Sequence, residues 1–188
     1  MNINKSYSSF LAIGIIVLAV VSRLIPHPYN FAPFGAIALF SGAMIGNRYL
    51  AMAAPCIAAW LSGVILNNTV YQSMFTEFTW VDYNIFWQCL SYVLTSWLGM
   101  TFLSSKNSAL KLGLSAVASS LIFFMISNFG YWASGLFYAK DGMGLISCYF
   151  NALPFYGASL AGDLLYTMAM FGIYYALIGR RMMATTVK

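Results

Sequence analysis

Arg23-Leu24-Ile25-Pro26-His27-Pro28-Tyr29-Asn30-Phe31-Ala32-Pro33-Phe34 separates the first two long apolar runs of the chain, and it holds three of the five prolines and the single histidine. Pro26, Pro28 and Pro33 donate no backbone hydrogen bond and bias the residues before them away from helix, so the stretch reads as a stiff extended connector. The runs on either side are too apolar for a soluble protein. Of 188 residues, 61% are hydrophobic, 18% aromatic and only 7% charged, against a charged share of about 25% in soluble domains. The sequence therefore predicts an all-α integral membrane protein. A single domain over residues 1–188 fits, because several spans of about 20 residues joined by short loops use up the length.

Working outward from the connector, hydropathy predicts six transmembrane helices at 8–25, 34–45, 49–66, 84–103, 110–132 and 154–178. The second is short unless Phe31 to Pro33 supplies some depth. The first is long for a signal-peptide apolar core and has no A-x-A cleavage site after it. Residues 67–83 and 135–151 read as the long loops. Charge gives an independent test of this arrangement. With six spans both termini share a side, and Lys5, Arg48, Lys106, Lys111, Arg180, Arg181 and Lys188, seven of the nine basic residues, fall on it. Excess Lys and Arg mark the cytoplasmic side, so both termini are expected there. Glu77, Asp82 and Asp141 fall on the opposite side, where the long aromatic loops also lie, so any binding chemistry is expected to face outward.

The same residues exclude several functions. One histidine in a loop cannot serve a serine nucleophile on a facing helix, and residues 157–162 do not match G-x-S-x-G. One histidine and four scattered acids do not make a hydrolytic metal centre. No G-x-x-x-x-G-K-[ST] is present, so ATP-driven transport would need partner subunits. The chain reads as no enzyme and calls for no cofactor. A net charge of +5 without a basic cluster interleaved with aromatics does not indicate nucleic acid. Cys56, Cys89 and Cys148 give no zinc spacing. The expected partners are a small-molecule substrate and the lipid bilayer; a scaffold or cell-shape protein without a pocket is the alternative.

Candidate substrate-binding residues lie near the predicted outer helix ends. Arg23 closes the first span and must be paired or reach the interface. Its best acidic partner is Asp163, about nine residues into the sixth span; an acid at that depth marks either a buried pair or the polar floor of a cavity. His27 projects from a stiff loop as a hydrogen-bonding or metal-ligating imidazole, or simply faces headgroups. Asn30, Asn68 and Asn128 are amides at outer helix ends, where they cap helices or bind ligands. Asn128 stands inside an apolar run, where an unsatisfied amide is costly. Tyr71, Trp132 and Tyr149 belong to an outer aromatic set that serves as an interfacial belt and can stack on a flat ring.

Arg23 to Pro33, Ala38 to Ala43, Ser127 to Gly135, Cys148 to Phe155 and Gly162 to Thr167 together resemble a family of small bacterial membrane proteins related to the substrate-binding S components of energy-coupling factor (ECF) transporters. The resemblance covers nearly the whole chain. It implies an S-component-like bundle of six helices in the bacterial inner membrane, importing a vitamin or similar micronutrient gripped by the first, third and fifth loops. It also implies energising transporter subunits with ATPases as partners, although the first helix has Ala12, Gly14 and Ala19 instead of an Ala-x-x-x-Ala pattern. Solitary relatives of that kind import cobalamin with a cysteine on the cobalt. By that resemblance the leading substrate is cobalamin, and Cys89 or His27 would be a metal ligand only if a cobalt corrinoid is bound.

Overall fold

A computed structural model describes residues 5–25, 30–74, 77–103 and 107–186. Six α-helices follow one another: α1 (Lys5–Ser22), α2 (Phe34–Met44), α3 (Arg48–Asn67), α4 (Ile85–Phe102), α5 (Ala109–Ser134) and α6 (Gly142–Thr186), with one 3-10 turn at Gln72–Met74. Among the described residues there is no strand. Helices α3, α5 and α6 as far as Ile178 are long and apolar enough to cross a membrane. The helix starts follow ordinary capping chemistry. Asn47 Oδ1 accepts from the N–H of Tyr49 and Leu50 at 3.0 and 3.2 Å to open α3, and Ser108 Oγ accepts from Lys111 N–H to open α5.

The largest departure from the expected helix set concerns the last helix. Residues 135–151 were expected to be loop, with a span beginning at 154. Instead, α6 starts at Gly142 and runs 45 residues through Pro154, about 68 Å at 1.5 Å per residue. Asp141 is the reason. Its side chain accepts from Gly144 N–H at 2.7 Å and its carbonyl from Leu145 N–H at 3.1 Å, so the Asp-Gly-Met-Gly run is a capped helix start. Pro154 withholds one backbone donor, which a helix packed among neighbours tolerates. The boundaries of α1 to α5 fall within about three residues of expectation, and α6 ends at Thr186, beyond the expected 178.

The bundle is built around α2. Phe34 to Gly42 are all buried, and this helix alone packs against each of the other five. Its 11 residues span about 16 Å, half of a hydrocarbon layer. Close approach to α4 is made by glycine on both sides. A Cβ on Gly42 would overlap the carbonyl oxygen of Ser96, and one on Gly99 would overlap that of Leu39. Small residues that let backbones touch take the place of the hydrophobic drive that is missing between helices in lipid. Some buried hydroxyls are absorbed by backbone: Ser41 Oγ donates to Ala38 and Ala51 carbonyls, Ser62 to Ala58 and Ala59, whereas Ser96 Oγ has no partner. Many other large apolar side chains point outward. Phe10, Leu110 and Phe150 are each more than 70% exposed, as expected for side chains that face lipid.

Replacing Gly99 by Leu is expected to force α2 and α4 apart and to cost more than about 3 kcal/mol. Gly46, whose Cβ would meet nothing within 4 Å, should accept Ala with a change below about 0.5 kcal/mol. Thermal unfolding of the two variants in detergent compares them; equal midpoints would show that the α2–α4 contact is not tight.

Candidate functional site

At the end of the bundle where α2 and α4 begin and α5 ends, a cavity of about 370 Å³ opens between α4, α5 and α6. That volume lies within the usual range of small-molecule sites. Five amides line it: Asn30, Asn84, Gln88, Asn128 and Asn151. Aromatic walls come from Phe123, Phe124, Tyr131, Tyr138, Phe155 and Tyr156. Ser127, Cys148 and Ser159 add small polar groups, and no Lys, Arg, Asp or Glu is among the lining residues. Helix geometry produces this set. Asn84 and Gln88 are one turn apart at the start of α4; Phe123, Ser127 and Tyr131 follow the same spacing on α5, and Asn151, Phe155 and Ser159 on α6. Residues four apart share one helix face, so three faces converge on one space.

The polar groups of this cavity are only partly used. Asn128 Nδ2 donates to Phe124 O at 2.8 Å, and Asn84 Nδ2 to Ser127 O at 3.3 Å. Asn84 is 1% exposed and its Oδ1 has no hydrogen-bond partner. A buried acceptor without a donor costs about 1–3 kcal/mol. The thiol of Cys148 donates to Asn128 O at 3.3 Å, and Tyr83 hydrogen-bonds to Tyr131 with their rings 5.5 Å apart.

Asn30 reaches the cavity because α6 holds the connector in place. Little more than one turn of α6 makes the contacts that follow. A Cβ on Gly162 would come within 3.2 Å of Ala32 N. The Asp163 carboxylate lies against Gly35 and hydrogen-bonds to the backbone N–H of Gly35 and Ala36. Tyr166 packs its ring 5.9 Å from Phe31 and accepts from Ser22 Oγ at 3.0 Å. The residue before α2 is Pro33, which has no capping side chain. Asp163 thus supplies from another helix the N-cap that α2 lacks. Asn30 itself has φ +63°, a left-handed conformation that asparagine tolerates better than most residues.

Of the residues expected to bind substrate, Asn30 and Asn128 line this cavity. Arg23 lines a second, smaller space of about 50 Å³ with Trp60, Asn67, Trp80 and Asp82, and Gln88 borders both spaces. Arg23 donates to Ser62 Oγ at 2.6 Å and lies 4.8 Å from the centre of the Phe34 ring. Tyr92, its ring tilted against that of Phe34 at 5.5 Å, lies within electrostatic reach of both Arg23 and Asp163. Asp163 stands at α2 and is not among the lining residues. Asn68 spends its amide on the loop, donating to Val64 O and Thr79 O and accepting from Thr79 N–H. Trp132 Nε1 donates to Ala139 O and Asp141 O, and Tyr149 donates to Met125 O at 2.6 Å. Tyr71 lines neither space, and Cys89 sits beside Cys56, whose thiol points to the Cys89 carbonyl at 3.7 Å. His27 lies outside the described residues.

Asn84, Gln88 and Asn151 were not expected. The signal was present as polar residues four apart, but reading 135–151 as loop hid the ladder that crosses Pro154. Comparison with known proteins adds the family. A family model described as a family of unknown function, DUF6580, matches residues 4–185. The chain belongs to this family. No curated protein and no solved structure matches it. Membership in DUF6580 brings no activity with it, so function has to be argued from the cavity.

Asp163→Ala should destabilise the protein by about 1–3 kcal/mol through loss of the α2 cap, and Asp163→Asn by clearly less, since an amide oxygen still accepts. Chemical denaturation followed by tryptophan fluorescence measures both. Identical stability of Ala, Asn and wild type would remove the capping role.

Proposed function

We propose that this DUF6580 chain is a six-span protein of the bacterial inner membrane, with both termini cytoplasmic, that binds a small micronutrient at its outer face for uptake. The single observation that carries the reading is the cavity of about 370 Å³ lined by five amides and six aromatics. It lies where α4 begins and α5 ends, the end that the distribution of basic residues assigns to the outside. A concave site with apolar walls and a few convergent polar groups is the usual form of a ligand site. Helices α1, α2 and α4 would complete the six crossings, α2 with help from the connector that α6 grips.

A scaffold has no use for unspent amides in a cavity, whereas a binding protein keeps them for its ligand. The volume favours a molecule smaller than a cobalt corrinoid. Cys148 is the thiol that borders the cavity. Energy for transport would come from separate ATPase-bearing subunits.

Gentle purification followed by mass spectrometry of small molecules released on unfolding tests the proposal. Wild type is expected to release one compound in near-stoichiometric amount. Asn128→Leu should lose most of it while keeping its fold. Absence of any released molecule, together with no thermal stabilisation across a vitamin panel, would favour the scaffold.

A further inference from the structure

The hydrogen bonds inside the cavity point to the chemistry of its occupant, an inference that rests on the proposed binding role of the same site. Asn84 and Asn128 both turn their amide nitrogens toward backbone carbonyls of α5, Ser127 O and Phe124 O. A carbonyl only accepts, so the orientation of each amide is fixed and the oxygen is the end left over. Asn84 Oδ1 has no partner but is shielded from the cavity against Gly130, whereas Asn128 is half-buried and no hydrogen bond to its Oδ1 is found among the described residues. The anchored Asn128 therefore offers an acceptor. Around it stand flat aromatic walls, among them Phe124 and Tyr156 in edge contact at 5.0 Å.

Acceptors without a basic side chain repel an anion. With no lining carboxylate, a buried cation would stay uncompensated, which is costly. What fits is a neutral flat molecule with its own N–H groups. We propose that the cavity selects an uncharged planar heterocycle of the cyclic-amide type, whose ring N–H donates to Asn128 Oδ1 while its faces lie against the aromatic walls. Gln88, with donors and acceptors both uncommitted among the described residues, reads the complementary carbonyl edge.

The test uses the full-length protein in detergent, with thermal shift and fluorescence titration. The neutral probes are hypoxanthine, lumazine and alloxazine. Their counterparts are 1,3-dimethyllumazine and 1,3-dimethylalloxazine, which keep the ring and lose the N–H donors, and the ions pterin-6-carboxylate and choline. At least one neutral probe is expected to stabilise the protein, and N-methylation to weaken it by roughly tenfold or more. Asn128→Leu should weaken it similarly, whereas Leu110→Ala, on the exposed face of α5, should not. The methylated probes decide the matter even if Asn128→Leu fails to fold. Equal binding of methylated and unmethylated rings overturns the proposal. Stabilisation by pterin-6-carboxylate or choline alone also overturns it and leaves the uptake reading standing. If no probe binds and no small molecule accompanies the purified protein, both readings fall together.

Discussion

The bundle depends on one carboxylate placed at the start of one short helix. Helix α2 begins deep among the others with Pro33 before it, so its first N–H groups have no capping side chain of their own. Water cannot serve a helix end that is buried from Phe34 onward. Asp163 takes the Gly35 and Ala36 donors, the two that a local cap would take. Because α2 touches every other helix, this bond fixes the height at which α2 sits and hence where the rest can pack. An acid inside a helix such as α6 need not bind substrate: the bare N–H groups of a neighbouring helix are partner enough.

The same turn of α6 prepares the cavity without entering it. Gly162 lets the connector pass, Tyr166 holds Phe31 and the end of α1, and Asp163 pins the first turn of α2. With residues 31 to 36 held at three points, the left-handed Asn30 is carried to the cavity edge. The stiff prolines are therefore only half of the rigidity; the other half comes from 130 residues further along the chain. Such long-range fastening cannot be read from the connector itself.

What was legible follows from periodicity and composition, and what was not follows from contacts between distant segments. Apolar runs located α1 to α5 within a few residues, since length and hydropathy are local properties. The start of α6 was missed because Asp141-Gly142-Met143-Gly144 looks like a turn until Asp141 is seen to accept from Gly144 N–H. Gly99 gave no hint, because its value depends on Leu39 lying against it. The expectation for Arg23 weighed only the charged residues of the sequence, whereas the Ser62 hydroxyl takes one of its N–H groups. Neither the Ser62 hydroxyl nor the bare N–H groups of α2 are visible in a list of ions.

Asparagine shows most clearly how structural and binding roles separate. Asn47 spends its oxygen on two N–H groups at the start of α3, and Asn68 uses both ends on Val64 and Thr79. Asn107 donates to the Tyr175 hydroxyl across the bundle at 2.8 Å. Each of these fastens the fold. Asn128 differs, for it gives its nitrogen to Phe124 O and keeps its oxygen beside the cavity. A side chain held at one end and unspent at the other is rigid and still reactive toward a donor, which is what preorganisation of a binding group requires. By that criterion sequence position could select Asn128 as a candidate, but only the account of where each hydrogen bond goes sets it apart from Asn68.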